Sequence, residues 1–520
     1  MMLRDIMQEI PRSDVIGPVD IDITGLTYDS RKVESGFLFA ALTGTRYNGM
    51  EFFPQALENG AKALLCSPPV PDEIKESCTV ITSARPRETL GLMASLFYGR
   101  PSRQMVVVGV TGTNGKTTIT FLLESIARAA GIIPGVTGTI TYRYKNNELK
   151  ARVTTPESVD LHRIYAEMRD GGVGLVASEV SSHALVQARV EGVDFSAGVF
   201  TNLSQDHLDY HKDMESYLQA KRILFNRYLP ASKGPKGPLA VFCVDSEAGV
   251  RLADDYKGEK VTCASAPNAR ADVFVTGASL DLSGITCSVN TPWGELELQS
   301  KLLGSANLQN IVTAAGTALA LGISRDAVTE GIRSLQVVPG RMEIVSSGRN
   351  GPVVVVDYAH SPDAIDKALA ALRRLTHGRL IAVFGCGGDR DREKRPLMGA
   401  AVANRADLAI VTSDNPRTEA PAEIIGEILP GLKGEGAVHA AMEELFSSKN
   451  DNRQGKKRAV YTMVPDRADA IRFAITSSNR DDLVAILGKG HEDYQIVGDK
   501  RTHLDDREQA AIAIKEMGKR

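Results

Sequence analysis

The sequence predicts three consecutive α/β domains built on largely parallel sheets. Three observations lead there. The chain has 520 residues, room for roughly three domains of about 100–200 residues each. Apolar, β-branched runs keep alternating with helix-like segments, the pattern of parallel α/β layers. Gly-rich or polar turns follow those runs, and open α/β sheets bind ligands in the crevice at the carboxyl ends of their strands.

The first block covers residues 1–102. FLFAAL (37–42) reads as a strand, FFPQALENGAKALLC (52–66) as a helix followed by a strand, and YGRPSRQ (98–104) as a Gly/Pro/Ser/Arg linker. The second block, 103–338, opens with the strand MVVVGV (105–110) and ends near QVVPGR (336–341), where Pro339 and Gly340 break a helical segment. The third, 339–520, holds four strand-then-polar-loop units: VVVVDYAH (353–360), IAVFGCGGDRD (381–391), AIVTSDNPR (409–417) and LVAILGKGHED (483–493). No internal repeat or long low-complexity tract interrupts them.

Charge and cysteine usage narrow the function classes. Lys plus Arg is 61 against 64 Asp plus Glu, a net of -3, so no whole-protein field attracts nucleic acid or an acidic membrane surface. Any anionic ligand must be met locally. Six cysteines without a C-x-x-C pair suit a reducing compartment. MMLRDIMQEIPRSD at the N-terminus carries acids inside its apolar stretch, and no run approaches the ~18 apolar residues of a membrane span. A soluble, cytoplasmic protein is expected, without nucleic-acid or membrane partners.

GVTGTNGKTTIT (109–120) follows a strand and precedes the helix-like FLLESIARAA. The backbone N–H groups of such a turn, Gly112, Thr113, Asn114, Gly115, Lys116, Thr117 and Thr118, added to a helix N-terminus, cradle phosphates. Lys116 then reaches the terminal phosphates, and Thr117 can hold Mg²⁺. It departs from the standard P-loop, because Val110 stands where that pattern has its first Gly. The competing reading is a tight turn with an exposed Lys. GLVASEVSSHAL (174–185) puts Glu179 at a strand end, the place of an acid that partners a nucleotide's Mg²⁺. TNLSQDHLDYH (201–211) is dense in Asp and His, and by itself is a solvated loop, a helix cap at Ser204, or a zinc pair at His207 and His211. Lys221 in YLQAKRILF sits on an amphipathic helix, where a lone Lys is ordinarily a solvated face.

Taken in order, GTNGKTT, TTP (154–156), EVSSHAL, TNLSQDHLDYH and the AK of YLQAKRILF resemble the Mur ligases of peptidoglycan synthesis. The resemblance continues through GSANLQN (304–310), PGRME (339–343), DYAHSPD (357–363), GCGGDRDREKRP (385–396), DNPR (414–417) and GKGHED (488–493), and YDSRKV (28–33) extends it to the N-terminus. It implies an N-terminal uridine-binding α/β domain, a central P-loop ATPase-like domain and a C-terminal Rossmann-like domain that binds an amino acid. The activity implied is ATP-dependent addition of the third peptide residue to UDP-N-acetylmuramoyl-L-alanyl-D-glutamate. ATP phosphorylates the free carboxylate, and an amine attacks the acyl phosphate.

Residue roles follow from the same resemblance. Lys116, with Mg²⁺ held by Thr117 and Glu179, would serve the β,γ-phosphates, and a second Mg²⁺ near His207 would bridge acyl and γ-phosphate oxygens. Lys221 matches a carbamylated lysine, whose CO₂ adduct offers the anionic oxygens that Mg²⁺ prefers. Asn307 would lie beside adenine, Arg341 near the phosphates and Asp357 at the ribose, with Lys394 toward the γ-phosphate. Tyr28, Ser30, Thr45, Arg46 and Tyr47, then Thr154, Thr155, Ser181, Gln187 and Arg189, match the UDP-muramyl dipeptide site. Arg390, Asp414, Asn415, Pro416, Arg417, Gly488 and Glu492 match the amino-acid pocket. DNPR resembles the form that adds meso-diaminopimelate, which is lysine with one more carboxylate, and a bidentate Arg suits that charge better than Lys. A plain Asx-Pro turn, a lysine-adding or folylpolyglutamate-type ligase, and a P-loop nucleotide switch remain the alternatives. A monomer is expected, hinging near Pro339 and Gly340.

Overall fold

The computed structural model describes residues 1–10, 13–44, 47–206, 210–347, 351–446 and 458–518. Three main sheets follow one another along the chain. The first has the strand order Asp14–Ile16, Thr79–Thr82, Ala63–Cys66, Phe37–Ala40, Gly25–Thr27. Its last four strands are parallel, and Asp14–Ile16 runs antiparallel on the edge. Alternate residues divide between two faces, as the two-residue period of a strand requires. Leu38, Ala40, Leu65 and Ile81 pack with Leu90 and Met93 of the helix Pro86–Phe97, whereas Phe39, Leu64 and Val80 pack with Phe53 and Ala56.

The central sheet has eleven strands. Seven contiguous parallel ones form its middle: Val273–Asp281, Lys260–Ala264, Leu239–Cys243, Ala197–Phe200, Val106–Thr111, Leu175–Glu179 and Pro134–Thr137. Val106–Thr111 is buried on both faces because helices cover both. Lys116–Ala129 and Ser305–Ala320 pack on one side, Ser158–Asp170 on the other. The strand after Val106–Thr111 goes to one side of it and Ala197–Phe200 lies on the other, so the loops after Val106–Thr111, Leu175–Glu179 and Ala197–Phe200 converge on one crevice.

Largely parallel sheets are thus only part of this domain. The strands Val273–Asp281, Gly284–Asn290 and Leu296–Ser300 form an antiparallel wing, and Thr141–Tyr144 with Asn147–Lys150 forms another at the opposite edge. Leu296–Ser300 alternates buried and exposed residues, which is what a strand covered on one face looks like.

The C-terminal sheet has the order Glu343–Ser347, Val353–Asp357, Leu483–Leu487, Leu380–Phe384, Leu408–Val411, Val460–Met463, Val438–His439. It is parallel except for its first edge strand. The late strand Leu483–Leu487 inserts at the centre, so the loops at 358–361, 385–391, 412–417 and 488–493 leave from neighbouring strand ends. No helix among the described residues is long and apolar enough to cross a membrane.

Two of these loops are tied from behind by one ion pair. The side chains of Arg467 and Asp506 are both 0% exposed. Arg467 Nε and Nη2 donate to the two carboxylate oxygens at 2.7 Å, while Nη1 reaches Ser413 O at 3.3 Å and Nη2 reaches Leu487 O at 3.0 Å. The desolvation cost of two buried charges is offset because bidentate geometry and two strand-end carbonyls satisfy the guanidinium. Arg467→Met strands the Asp506 carboxylate and should lower the stability of the C-terminal domain by about 3–5 kcal/mol in urea denaturation. Replacing both partners by apolar residues should recover much of that loss, and a single-variant loss under about 1 kcal/mol would show the pair to be dispensable.

Candidate active site

The phosphate-binding turn is shaped by close backbone approach. Gly112 has φ +147° and Gly115 φ +89°, and a Cβ would fall 1.9 Å from Thr201 Oγ1 at the first and 2.3 Å from Asn310 Oδ1 at the second. Only glycine fits. The neighbouring strand exit braces the turn. Asn202 O accepts from Thr113 N at 2.9 Å, Asn202 Oδ1 from Asn114 N at 3.0 Å, and Thr201 Oγ1 donates to Asn114 O at 2.6 Å. TNLS therefore builds the loop rather than capping a helix at Ser204, a role for Thr201, Asn202 and Asn310 that the motifs alone did not show.

Lys116 is not an exposed lysine. It is part-buried, and Nζ donates to Gly112 O and Thr113 O, both at 2.9 Å; burial lowers its pKa from the ordinary lysine value. Thr117 Oγ1 donates to Glu179 Oε1 at 2.9 Å, and Glu179 also accepts from Thr139 N at 2.9 Å and Thr139 Oγ1 at 3.0 Å. Arg341 crosses from the C-terminal side, with Nη2 3.4 Å from Thr117 Oγ1 and the guanidinium 4.2 Å from the centre of the Tyr358 ring. Its Nη1 is buried with no hydrogen-bond partner among the described residues, a donor aimed where an anion would sit.

Lys221 departs from the solvated position its helix pattern suggests. It is 1% exposed, and its ammonium lies 4.0 Å from the centre of the Tyr217 ring. Burial, then the nearby charge of Lys116, pushes its pKa well below the ordinary lysine value, with Asp206 opposing. Burial thus favours the neutral, nucleophilic amine.

Two cavities meet here. One encloses about 260 Å³ between the phosphate turn, Glu179, Asn307 and Asn310 on the central side and Arg341, Asp357, Tyr358 and His360 on the C-terminal side. Asn307 Nδ2 donates to Leu303 O at 2.8 Å. Asp357 accepts from Met342 N at 2.7 Å and Ala359 N at 2.9 Å, and burial raises its pKa against the pull of Arg341. The second cavity, about 520 Å³, shares Asp206, Tyr358 and His360 with the first and is lined by Arg390, Lys394, Asp414, Asn415, Arg417, Gly488 and Glu492.

Within the second cavity the DNPR turn is held rigidly. Arg417 adopts φ +53°. Its N donates to Ile496 O at 3.0 Å, its O accepts from Gly498 N at 2.6 Å, and Nη1 donates to Gly388 O at 2.6 Å. Pro416 packs against Gly388, where a Cβ would fall 1.8 Å from Pro416 O. Gly488, at φ +117°, leaves room for Asp414, whose Oδ2 a Cβ would approach to 2.7 Å. Asn415 Nδ2 donates to Glu492 Oε2 at 2.8 Å. Arg390 is exposed at the rim, its Nη1 3.0 Å from Asp389 O.

The residues matched to the dipeptide site fall into one cluster and two outliers. Thr155 Oγ1 donates to Glu179 O at 2.9 Å and accepts from Ser181 N at 3.1 Å, Arg189 binds Thr155 O at 3.1 Å and Gln187 Oε1 at 2.7 Å, and Thr154 Oγ1 lies 3.1 Å from Thr139 Oγ1. Tyr28 joins through the central domain by donating to Asp160 Oδ2 at 2.6 Å. Ser30, by contrast, binds Gln55 Oε1 at 2.7 Å within the first domain, and Tyr47 is 65% exposed beside Phe52. Thr45, Arg46 and His207 lie outside the described residues, and His211 Nε2 sits 3.0 Å from Ser182 Oγ.

Comparison with known proteins decides the family. Family models match residues 22–98 (Mur ligase family, catalytic domain), 110–318 (Mur ligase middle domain) and 340–490 (Mur ligase, glutamate ligase domain). The chain belongs to the Mur ligase family. It is 43% identical over 517 residues, 99% of both chains, to the UDP-N-acetylmuramoyl-L-alanyl-D-glutamate–2,6-diaminopimelate ligase of Geobacter metallireducens. It is 43% identical over 495 residues, 95% of this chain and 94% of the relative, to the enzyme of that name from Gloeobacter violaceus. A solved structure of that ligase matches at TM-score 0.67 and 29% identity over 99% of both chains. MurF of Acinetobacter baumannii shares the fold, with TM-score 0.63 at 17% identity over 94% of this chain and 95% of its own.

In this Mur ligase the Thr117 hydroxyl and Glu179 carboxylate are hard oxygen donors at the edge of the phosphate turn, a set that fits Mg²⁺, which takes one or two protein oxygens and fills the rest with water and phosphate. The left-handed backbone of Arg417 is a second testable feature, since only glycine occupies that region without cost. Arg417→Gly should be about 1 kcal/mol more stable than Arg417→Ala in urea denaturation, and equal midpoints would show that the backbone relaxes.

Proposed function

We propose that this Mur ligase joins meso-diaminopimelate to the D-glutamate carboxylate of UDP-N-acetylmuramoyl-L-alanyl-D-glutamate, with ATP converted to ADP and phosphate. The observation that carries the reading is Arg417. A guanidinium is held in the cavity that opens onto the nucleotide cavity at Tyr358 and His360, where it suits the carboxylate that distinguishes diaminopimelate from lysine. The relatives named as 2,6-diaminopimelate ligases support it along the whole chain.

ATP occupies the first cavity, adenine toward Asn307 and ribose toward Asp357. The N–H groups of residues 113–118 and the helix N-terminus take the phosphates. Lys116 leaves the carbonyls of Gly112 and Thr113 for the β,γ-phosphates, and the unpartnered Nη1 of Arg341 adds a second cation. Thr117 and Glu179 would hold Mg²⁺, which when bound neutralises phosphate oxygens and favours in-line transfer. The glutamate carboxylate oxygen attacks the γ-phosphorus, ADP leaves, and an acyl phosphate forms. The uncharged amine of the amino acid in the second cavity then attacks the acyl carbon, phosphate departs with the C–O bond electrons, and the amine loses a proton.

The neutral amine of Lys221 adds to CO₂ and loses a proton to give a carbamate, which turns a buried nitrogen into two anionic oxygens beside the phosphates. The dipeptide lies along Thr154, Thr155, Ser181, Gln187 and Arg189, and its uridine end along Tyr28, Ser30 and residues 45–47. We place the domain divisions near 102/103 and 338/339, and the reaction in the cytoplasm, with all six cysteines free thiols.

Incubation with ATP, UDP-muramyl dipeptide and either meso-diaminopimelate or L-lysine, scored by product mass, tests the function; product with L-lysine alone would overturn it. In Arg417→Gly, loss of a charge-assisted contact of roughly 2–5 kcal/mol should lower kcat/KM for meso-diaminopimelate by about 30- to several-thousand-fold while L-lysine use stays level. An equal loss for both amino acids would remove Arg417 from recognition. Lys221→Ala should lose most activity and regain part of it with short carboxylic acids, and ¹³CO₂ should give a carbamate resonance that this variant lacks.

A further inference from the structure

Lys489 lies in the GKGHED loop beneath the amino-acid cavity, and the mechanism above gives it no part. Its side chain is 0% exposed. Nζ donates to Tyr494 O, lies 3.4 Å from Asn415 Oδ1 and 3.5 Å from Glu492 Oε2, and sits 5.3 Å from the centre of the Tyr494 ring. An ammonium has three N–H donors, and here three oxygens face them. No donor is left for a substrate.

Building on the proposed function, we infer that Lys489 is a positioning residue that holds Glu492 as an oriented, charged carboxylate for the ammonium at the distal centre of the incoming diamino acid. The Asn415 amide is oriented by the same lysine. Its Oδ1 faces Lys489 and accepts from Ile496 N at 3.0 Å, which turns Nδ2 toward Glu492 Oε2 at 2.8 Å. Glu492 is thereby gripped from two sides.

Electrostatics gives the grip a purpose. Glu492 faces Asp414 from the DNPR turn, Lys489 from its own loop, Tyr358 from the end of Val353–Asp357 and Tyr494 from the following hairpin, with Arg467 behind. Burial and then Asp414 push the Glu492 carboxyl above its ordinary pKa, while Lys489 and the Asn415 amide pull it down. Two neighbouring acids whose nearest cation is removed tend to share a proton, and a protonated Glu492 has no charge to offer an ammonium.

The test compares Lys489→Met in the wild-type and Glu492→Gln backgrounds, reading KM and kcat/KM for meso-diaminopimelate against pH together with KM for ATP. In the wild-type background KM for the amino acid should rise about 10- to 100-fold while KM for ATP changes less than about twofold. Glu492 must be ionised to bind, so its raised pKa should move the acid limb of the profile to higher pH, by about one unit. In the Glu492→Gln background the same substitution should cost less than about threefold, because the group it acts through is gone. Equal losses in the two backgrounds, or an unmoved acid limb, would make Lys489 a packing residue and overturn the proposal. Should Lys489→Met not fold, Lys489→Gln, which keeps a donor without the charge, carries the same comparison; failure of both to fold would also overturn it. Absence of product from the wild-type protein with meso-diaminopimelate would instead overturn the underlying function, so the two failures are distinguishable.

Discussion

Arg341 leaves the Pro339–Gly340 turn, crosses to the phosphate-binding loop and rests its face on Tyr358. That reach depends on how tightly the turn is held on both sides. Val338 is fully buried in the core of the central sheet. Gly340 is pressed so closely on the GKGHED loop that a Cβ would fall 2.1 Å from His491 N, and its own N–H donates to Glu343 Oε2 at 2.7 Å. Pro339 alone stands between a residue packed into one domain and a residue packed into the next.

A second crossing is of a different kind. At the open end of the hairpin Thr141–Lys150, on the edge of the central sheet, Lys150 Nζ meets both Asp493 oxygens at 2.6 Å. The pair is well exposed, so it contributes at most about 1 kcal/mol and weakens in salt. Near the turn of the same hairpin Arg143 binds Glu124 of the helix Lys116–Ala129 and covers the Phe121 ring. The phosphate-loop helix and the amino-acid loop are thus connected mechanically as well as through the shared cavity wall.

A chain with a net charge of -3 has no global attraction for a polyanionic substrate, and the fold concentrates cations instead. Lys116 and Arg341 line the nucleotide cavity, while Lys489 and Arg467 lie beneath the amino-acid loops. The inner ones keep their place through carbonyl, carboxylate and ring contacts, since an unpaired buried charge would be expelled or neutralised. Arg341, whose Nη1 has no hydrogen-bond partner among the described residues, gives up no hydrogen bond at that nitrogen on meeting an anion, and donors placed in advance are how such sites lower a barrier.

By itself the sequence determined the three α/β units and most of the loops that carry chemistry. Residue type and spacing suffice there: a Gly-rich turn between a strand and a helix, an acid at a strand end, an arginine in an Asx-Pro turn. Those signals are local, and Gly112, Gly115, Glu179 and Arg417 stand where they imply. Only the tertiary structure decided how each group is solvated. The helix period of 214–223 marks Lys221 as a surface lysine, yet it is 1% exposed with its ammonium over the Tyr217 ring. Thr201 and Asn202 were visible as a motif, but their bracing of Asn114 needs two strands distant in sequence to become neighbours. The antiparallel wings and the burial of Lys489 share that origin. Desolvation is a property of everything packed around a group, and most of that packing comes from residues far along the chain.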